Sequence, residues 1–227
     1  MSTHAPPRAL LSWSSGKDSA WALHVARAQG EVEIVGLLTT VTSSFGRVSM
    51  HGVREAILER QASSVGLPLT TVSIPSPCSN EVYAAAMRAA MVAAREQGIE
   101  VVVFGDLFLA DIRAYREANL ATVGMRAVFP LWGRDTGALA REMIAGGLRA
   151  ILTCVDPRRV SRDLAGRWFD TALIDALPDG VDPCGEHGEF HTCVVAGPML
   201  GEAIAVERGE VVERDGFVFA DVVPTPA

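Results

Sequence analysis

Residues 14–19, Ser-Ser-Gly-Lys-Asp-Ser, gather hydroxyls, a glycine and an amine into one turn. Between a strand and a helix, such a turn aims backbone N–H groups and the positive helix end at an anion. Gly16 permits close backbone approach, where a Cβ would collide with a phosphate. Ser14, Ser15 and Ser19 add hydroxyl donors, and Lys17 adds a point charge. Lys17 is the only lysine among the 20 basic residues; the rest are arginine. A compact ammonium, not a planar fork, is what this turn would need. A Walker loop is excluded, because Leu11 stands where its first glycine would be and Asp18 follows the lysine. The plainer reading is a turn in which Asp18 or Ser19 caps the helix.

The second dense stretch is Asp182-Pro183-Cys184-Gly185-Glu186-His187-Gly188-Glu189-Phe190-His191-Thr192. Cys184, His187, His191 and Cys193 are spaced Cys-x2-His-x3-His-x-Cys and could ligate a metal. Structural zinc sites, however, usually divide their ligands between two knuckles. Weaker candidates lie elsewhere. Thr39 and Thr40 could touch a nucleotide or be ordinary strand residues. His51 could contact a ligand or flank a helix. Trp132 and Arg134 could stack on and pair with a ligand, or Trp132 could pack a junction. Cys154 reads as core and Cys78 as a thiol without a basic neighbour.

The elements that must hold these residues alternate. Residues 9–14 read as a strand, and 18–29 as a helix ended by Gly30. Further strands are expected at 34–38, 69–74, 101–104 and 126–129, with helices at 52–65, 80–97 and 111–123. Residues 39–49 read as a polar loop. This alternation predicts a doubly wound, Rossmann-like α/β fold with a parallel sheet. Ligands would bind beyond the carboxyl ends of its strands, where Ser14, Thr39 and the pair Gly105-Asp106 fall. After Pro130 come a helix at 136–145, a strand at 150–155 and a helical stretch at 164–177. The acidic loop 178–192 follows. Short β segments then turn at Gly197-Pro198, Gly209 and Asp215-Gly216. The expected division is an N-terminal domain at 1–132 and a smaller α+β region at 133–227, with the cleft where they meet.

The first turn resembles the Ser-Gly-Gly-x-Asp-Ser loop of the N-type ATP pyrophosphatases. Ser15 stands at its second position, where a positive φ would be strained. The second stretch resembles the Gly-Glu-Gly-Gly-Glu-Phe/Tyr-x-Thr segment of the diphthine–ammonia ligase family, with His187 in place of a glycine. Gly105-Asp106 with Asp111 and Arg113, residues 130–135, and His51 to Ala62 are also similar, so the resemblance covers about 9–200. It implies an enzyme that adenylates a carboxylate with ATP, releases pyrophosphate and lets ammonia displace AMP. It also implies ATP binding for residues 1–132 and substrate binding for residues 133–227. Lys17 and the loop amides would stabilise charge on the phosphates. Asp18 or Asp106 would contact Mg2+. Glu186 and Glu189 would bind a cationic substrate group, orient ammonia or take its proton. Gly185, Gly188, His191 and Thr192 would complete the substrate side. The family's substrate, a modified histidine on a translation elongation factor, belongs to archaea and eukaryotes, whereas the Ala- and Arg-rich, nearly lysine-free composition suggests a GC-rich bacterial genome, so the reaction type transfers better than the substrate. A non-catalytic ATP-binding regulatory module and a tRNA-modifying adenylating enzyme are the alternatives.

Composition narrows the setting. At 227 residues with 49% hydrophobic content, the chain can bury a real core. A net charge of −7 disfavours nucleic acid as a partner, and the Arg158, Arg159 and Arg162 cluster reads as a solvated face. No apolar run suits a membrane span or a signal peptide. Four scattered cysteines read as reduced thiols, hence a cytoplasmic protein. A homodimer is left open.

Overall fold

The computed structural model describes residues 5–225. In its first part, β1 (Arg8–Ser12), α1 (Lys17–Gln29), β2 (Glu33–Thr42) and β3 (Arg47–Val48) are followed by α2 (Glu55–Val65), β4 (Leu69–Ile74) and α3 (Asn80–Glu96). Then come β5 (Val101–Val103), α4 (Ala110–Ala121) and β6 (Arg126–Val128). The later part contains α5 (Thr136–Ala145), β7 (Arg149–Val155), α6 (Thr171–Asp175), β8 (Phe190–Ala196), β9 (Val206–Arg214) and β10 (Phe217–Pro224).

Local chemistry sets the boundaries. Gly30 and Gly66 end α1 and α2 in the left-handed conformation, which a side chain would strain. Ser79 caps α3 by accepting from the N–H of Val82, and Asp135 caps α5 by accepting from Ala138.

The parallel strands lie in the order β4-β2-β1-β5-β6, with β3 antiparallel to the far end of β2. The chain winds outward from β1 in one direction and then, from β5, in the other. This places the topological switch between β1 and β5, where the loops after both strands open a crevice. The second sheet is antiparallel, in the order β8-β7-β10-β9.

Alternation along β1 divides the interior. Leu11 joins a core with Trp13, Ile57, Leu107, Leu139, Phe190 and Val218 that runs without a break from the first sheet to the second. Leu10 faces the other way and meets Leu38, Met91, Val102 and Leu120 beneath α3 and α4. Asp221 on β10 ties the halves together by accepting from Arg47 and Arg54. Burial alone would raise its pKa, but the two guanidinium groups outweigh this and bring it to about 2.

Three expectations are corrected. β2 continues through Thr42, because residues 37–42 pair with β4, so Thr39 to Thr42 are strand and not loop. Residues 164–177 do not form one helix. Trp168 bridges Ile151, the N–H of Phe169 donates to Ala150 at 2.8 Å, and only α6 is helical after it. Gly209 is no turn but lies inside β9, where a Cβ would approach Asp221 and Val223 at 3.1 Å. Among the described residues, no helix is long and apolar enough to cross a membrane.

Candidate active site

The loop between β1 and α1 folds on its own hydroxyls. Ser14 Oγ accepts from the N–H of Gly16 at 3.3 Å and lies 3.1 Å from Ser19 Oγ, which donates to the Gly16 carbonyl at 3.0 Å. Ser15 has φ 68°, a left-handed conformation for a non-glycine residue, and is fully buried. Its carbonyl accepts from the N–H of Val194 at 2.9 Å and from the Gln61 amide at 3.2 Å. β8 and α2 therefore fix the turn from below.

Two glycines keep the crevice close to the backbone. A Cβ on Gly105 would come within 2.7 Å of Asp18 main-chain carbon, so the loop after β5 presses directly on the start of α1. A Cβ on Gly16 would meet the His51 ring at 2.6 Å. The His51 Nδ1 lies 3.0 Å from the Thr192 carbonyl. A carbonyl only accepts, so Nδ1 carries the hydrogen and Nε2 is left as an acceptor.

Lys17 lies at the centre with only 2% of its surface exposed. Its Nζ donates to Asp18 Oδ2 at 2.7 Å and to the main-chain carbonyl of Cys184, and sits 5.5 Å from the centre of the Phe190 ring. Burial works against its charge, but the carboxylates of Asp18 and Glu186 more than offset this and raise its pKa. Its N–H donates to Thr192 Oγ1 at 3.1 Å.

The acidic loop is arranged by its own carboxylates. Glu189 Oε1 accepts from the N–H of Asp182 at 3.3 Å, and Asp182 Oδ2 accepts from the N–H of Glu186 at 2.8 Å. Glu186 Oε1 in turn accepts from the N–H of Leu107 at 2.8 Å, joining this loop to the one after β5. Burial raises the Glu186 pKa to about 7, helped by repulsion from Asp18 and Asp106 and opposed by the Leu107 N–H. Burial likewise lowers His51 to about 4 and His191 to about 3, so both rings are neutral near pH 7.

One cleft therefore brings together Ser14, Lys17, Asp18 and Ser19 with His51, Gly105 and Asp106. Gly185, Glu186, His191 and Thr192 face them across it. The remaining candidates lie outside its walls. Ser15 and Gly16 support it from behind, and Thr39 is buried on β2 with its hydroxyl unpartnered. Glu189 is 1% exposed and buried behind the loop. Gly188 lines an outer mouth. Trp132 packs on Phe129 beneath Arg113, while Arg134 pairs with Glu142 on α5. Arg116, which holds Asp106 at 2.9 Å, and Phe104 line the cleft without having been singled out, since an arginine within a helix and a strand-end phenylalanine carry no local signal. Among the described residues, no three His, Cys, Asp or Glu side chains cluster as a metal site.

Fold and site together define an α/β protein whose strand–loop–helix turn lies at the sheet's switch point and is closed by an acidic loop from a second sheet. Residues 8–127 match the diphthamide synthase N-terminal domain and residues 135–220 the diphthamide synthase C-terminal domain, and the chain belongs to this family. It is 30% identical to a rat diphthine–ammonia ligase over 133 residues, covering 56% of this chain and 49% of that protein. A mouse diphthine–ammonia ligase is 24% identical over 235 residues, 92% of this chain and 86% of the relative. A human one is 26% identical over 232 residues, with the same coverage of 92% and 86%. The chain thus spans about half of the rat relative (49%) and 20% of a fission yeast one.

Proposed function

We propose that the protein is an ATP-dependent ligase that joins a carboxylate to ammonia and releases AMP and pyrophosphate. The carrying observation is that one buried amine, Lys17, is held jointly by the turn after β1 and the acidic loop before β8. A triphosphate side and an acyl side thereby share one charge.

The residues present suit a nucleotide. Gly105 lets the loop after β5 pack against the start of α1 to form one wall, and Asp18 Oδ1 is buried without a partner. ATP would supply the electrophilic phosphorus: a carboxylate oxygen attacks it, pyrophosphate leaves, and ammonia then attacks the acyl carbon and expels AMP. Lys17 and the turn's N–H groups stabilise charge on the phosphate oxygens. Asp18 is the better Mg2+ contact, because both oxygens of Asp106 already face Arg116. Glu186, with a pKa of about 7, is suited to take a proton from ammonium. Glu189 acts through Asp182 in placing Glu186 and does not touch the reacting atoms.

In this reading residues 1–132 hold the nucleotide and 133–227 the acyl substrate, in the cytoplasm. The relatives' name points to diphthine, on a protein, as one carboxylate to try. The deciding test incubates the protein with ATP, Mg2+, ammonium and a panel of carboxylates, then separates AMP from ADP. Carboxylate-dependent AMP supports the ligase. ADP would mean phosphoryl transfer, and ATP binding with no turnover would mean a regulatory module.

A further inference from the structure

Two imidazoles stand in the cleft, and the steps proposed for Lys17, Asp18 and Glu186 use neither. His51 and His191 lie with their ring centres 4.7 Å apart and their planes inclined by 42°. Thr192 fastens the first of them to the phosphate turn. Its Oγ1 accepts from the N–H of Lys17 at 3.1 Å, and its carbonyl accepts from His51 Nδ1 at 3.0 Å. The His51 ring therefore packs directly on Gly16, where a Cβ would leave it no room.

With Nδ1 committed to Thr192, His51 Nε2 can only accept. It has no hydrogen-bond partner among the described residues, and neither ring nitrogen of His191 has one. Burial keeps both rings neutral, and the nearby charge of Lys17 adds to this. Each neutral imidazole carries one lone pair, so two acceptors without charge stand side by side.

A phosphate or carboxylate oxygen gains nothing from a lone pair. What two lone pairs take is a small molecule with N–H or O–H groups to donate. Lys17 disfavours a proton on either ring, and it disfavours a bound cation there for the same reason. Neutral ammonia meets no such opposition, and Glu186 in the same cleft can take the proton that ammonium must lose. With two of its N–H bonds given to the rings, the nitrogen keeps its own lone pair for the acyl carbon. His191 also lines the outer mouth, so the pair stands on the side of the cleft open to solvent.

We infer that His51 and His191 form the ammonia site, each accepting one N–H bond while the nitrogen lone pair faces the acyl group. This rests on the ligase reading of the cleft and places its second substrate beside the phosphate turn. The rival ligand is a ribose hydroxyl, whose single hydrogen would use one ring and tie His51 to nucleotide affinity.

The test adds ammonium chloride to the protein with ATP and Mg2+ and follows the imidazole nitrogen signals by NMR. Tetramethylammonium chloride, which has no N–H group, is the control. Ammonium alone should shift the lone-pair nitrogens of His51 and His191 saturably, the signals being assigned by their absence in His51→Phe and His191→Phe. With a carboxylate that yields AMP, either phenylalanine variant should raise the KM for ammonium about tenfold without changing ATP affinity. His51→Gln and His191→Gln keep an acceptor and should recover part of the loss. Unshifted rings, equal shifts with tetramethylammonium, an unchanged KM in both phenylalanine variants, or glutamine variants no better than these would each overturn the inference. So would weakened ATP binding in His51→Phe, which would give that ring to the ribose. Saturable shifts without AMP from any carboxylate would leave the ammonia site standing and overturn the ligase. Amide formation with its ammonium dependence unaltered in both phenylalanine variants would do the reverse.

Discussion

Gln61 donates its side-chain amide to the carbonyl of Ser15, 46 residues earlier, at 3.2 Å. The same nitrogen reaches the Val194 carbonyl at 2.7 Å, and the Gln61 oxygen accepts from the Trp13 indole at 2.9 Å. One fully buried amide thus joins Trp13 just past β1, the turn at 14–19 and β8. Gln61→Leu should lower stability by about 2–4 kcal/mol, since it leaves buried polar groups without partners. Urea unfolding reads this directly, and a loss below ~1 kcal/mol would mean that Gln61 does not organise the turn.

Ser15 occupies the left-handed region at φ 68°, and its hydroxyl is buried without a partner. Ser15→Gly removes the backbone strain, worth about 1–2 kcal/mol. Against this stands the ~0.5–1 kcal/mol entropic cost of a glycine. The variant should match or slightly exceed the parent in thermal melts and keep AMP formation within a few-fold. A clear drop in melting temperature would assign the hydroxyl a structural role.

Lys17→Met keeps the apolar stem beside Phe190 and removes the charge. AMP formation should fall by about 10²–10³, the usual cost of losing a preorganised donor to transition-state charge. An alanine would also empty the space around a buried residue that holds Cys184 and Asp18, so Lys17→Ala would mix loss of charge with loss of packing. Circular dichroism separates the two effects in the methionine variant. Full activity there would remove Lys17 from the mechanism.

Glu186 links stability to pH. Its folded pKa, about 7, lies above the ordinary 4.5, so between these values the native state holds the extra proton. Its contribution is therefore full at acidic pH and is lost as pH rises through about 7. Glu186→Gln should flatten the fall in urea midpoint between pH 5 and pH 8. It should also remove the rise in amide formation above pH 7. An unchanged activity profile would place the base elsewhere.

Much of the fold could be read from the sequence because its signals are local. Gly30, Gly66 and Ser79 mark helix ends by their own backbone chemistry, and the turn at 14–19 carries its glycine, hydroxyls and amine in six consecutive residues. What escaped depends on distant partners. Apolar residues at 164–177 suit a helix until β7 supplies the Ala150 carbonyl that draws Phe169 into an extended course. Glu186 and Glu189 read as equivalent acids three residues apart. Only the packing of β8 buries one and leaves the other facing the cleft. Arg116 reaches the site because α4 aims it back at Asp106, which helical periodicity alone does not say.

The acidic loop answers Lys17 with a peptide oxygen and not with a side chain. Position 184 could therefore exchange residue types over evolutionary time without disturbing this bond, and paired substitutions between 17 and 184 would carry no record of it. This tie between the two halves is one that comparing family sequences would not find.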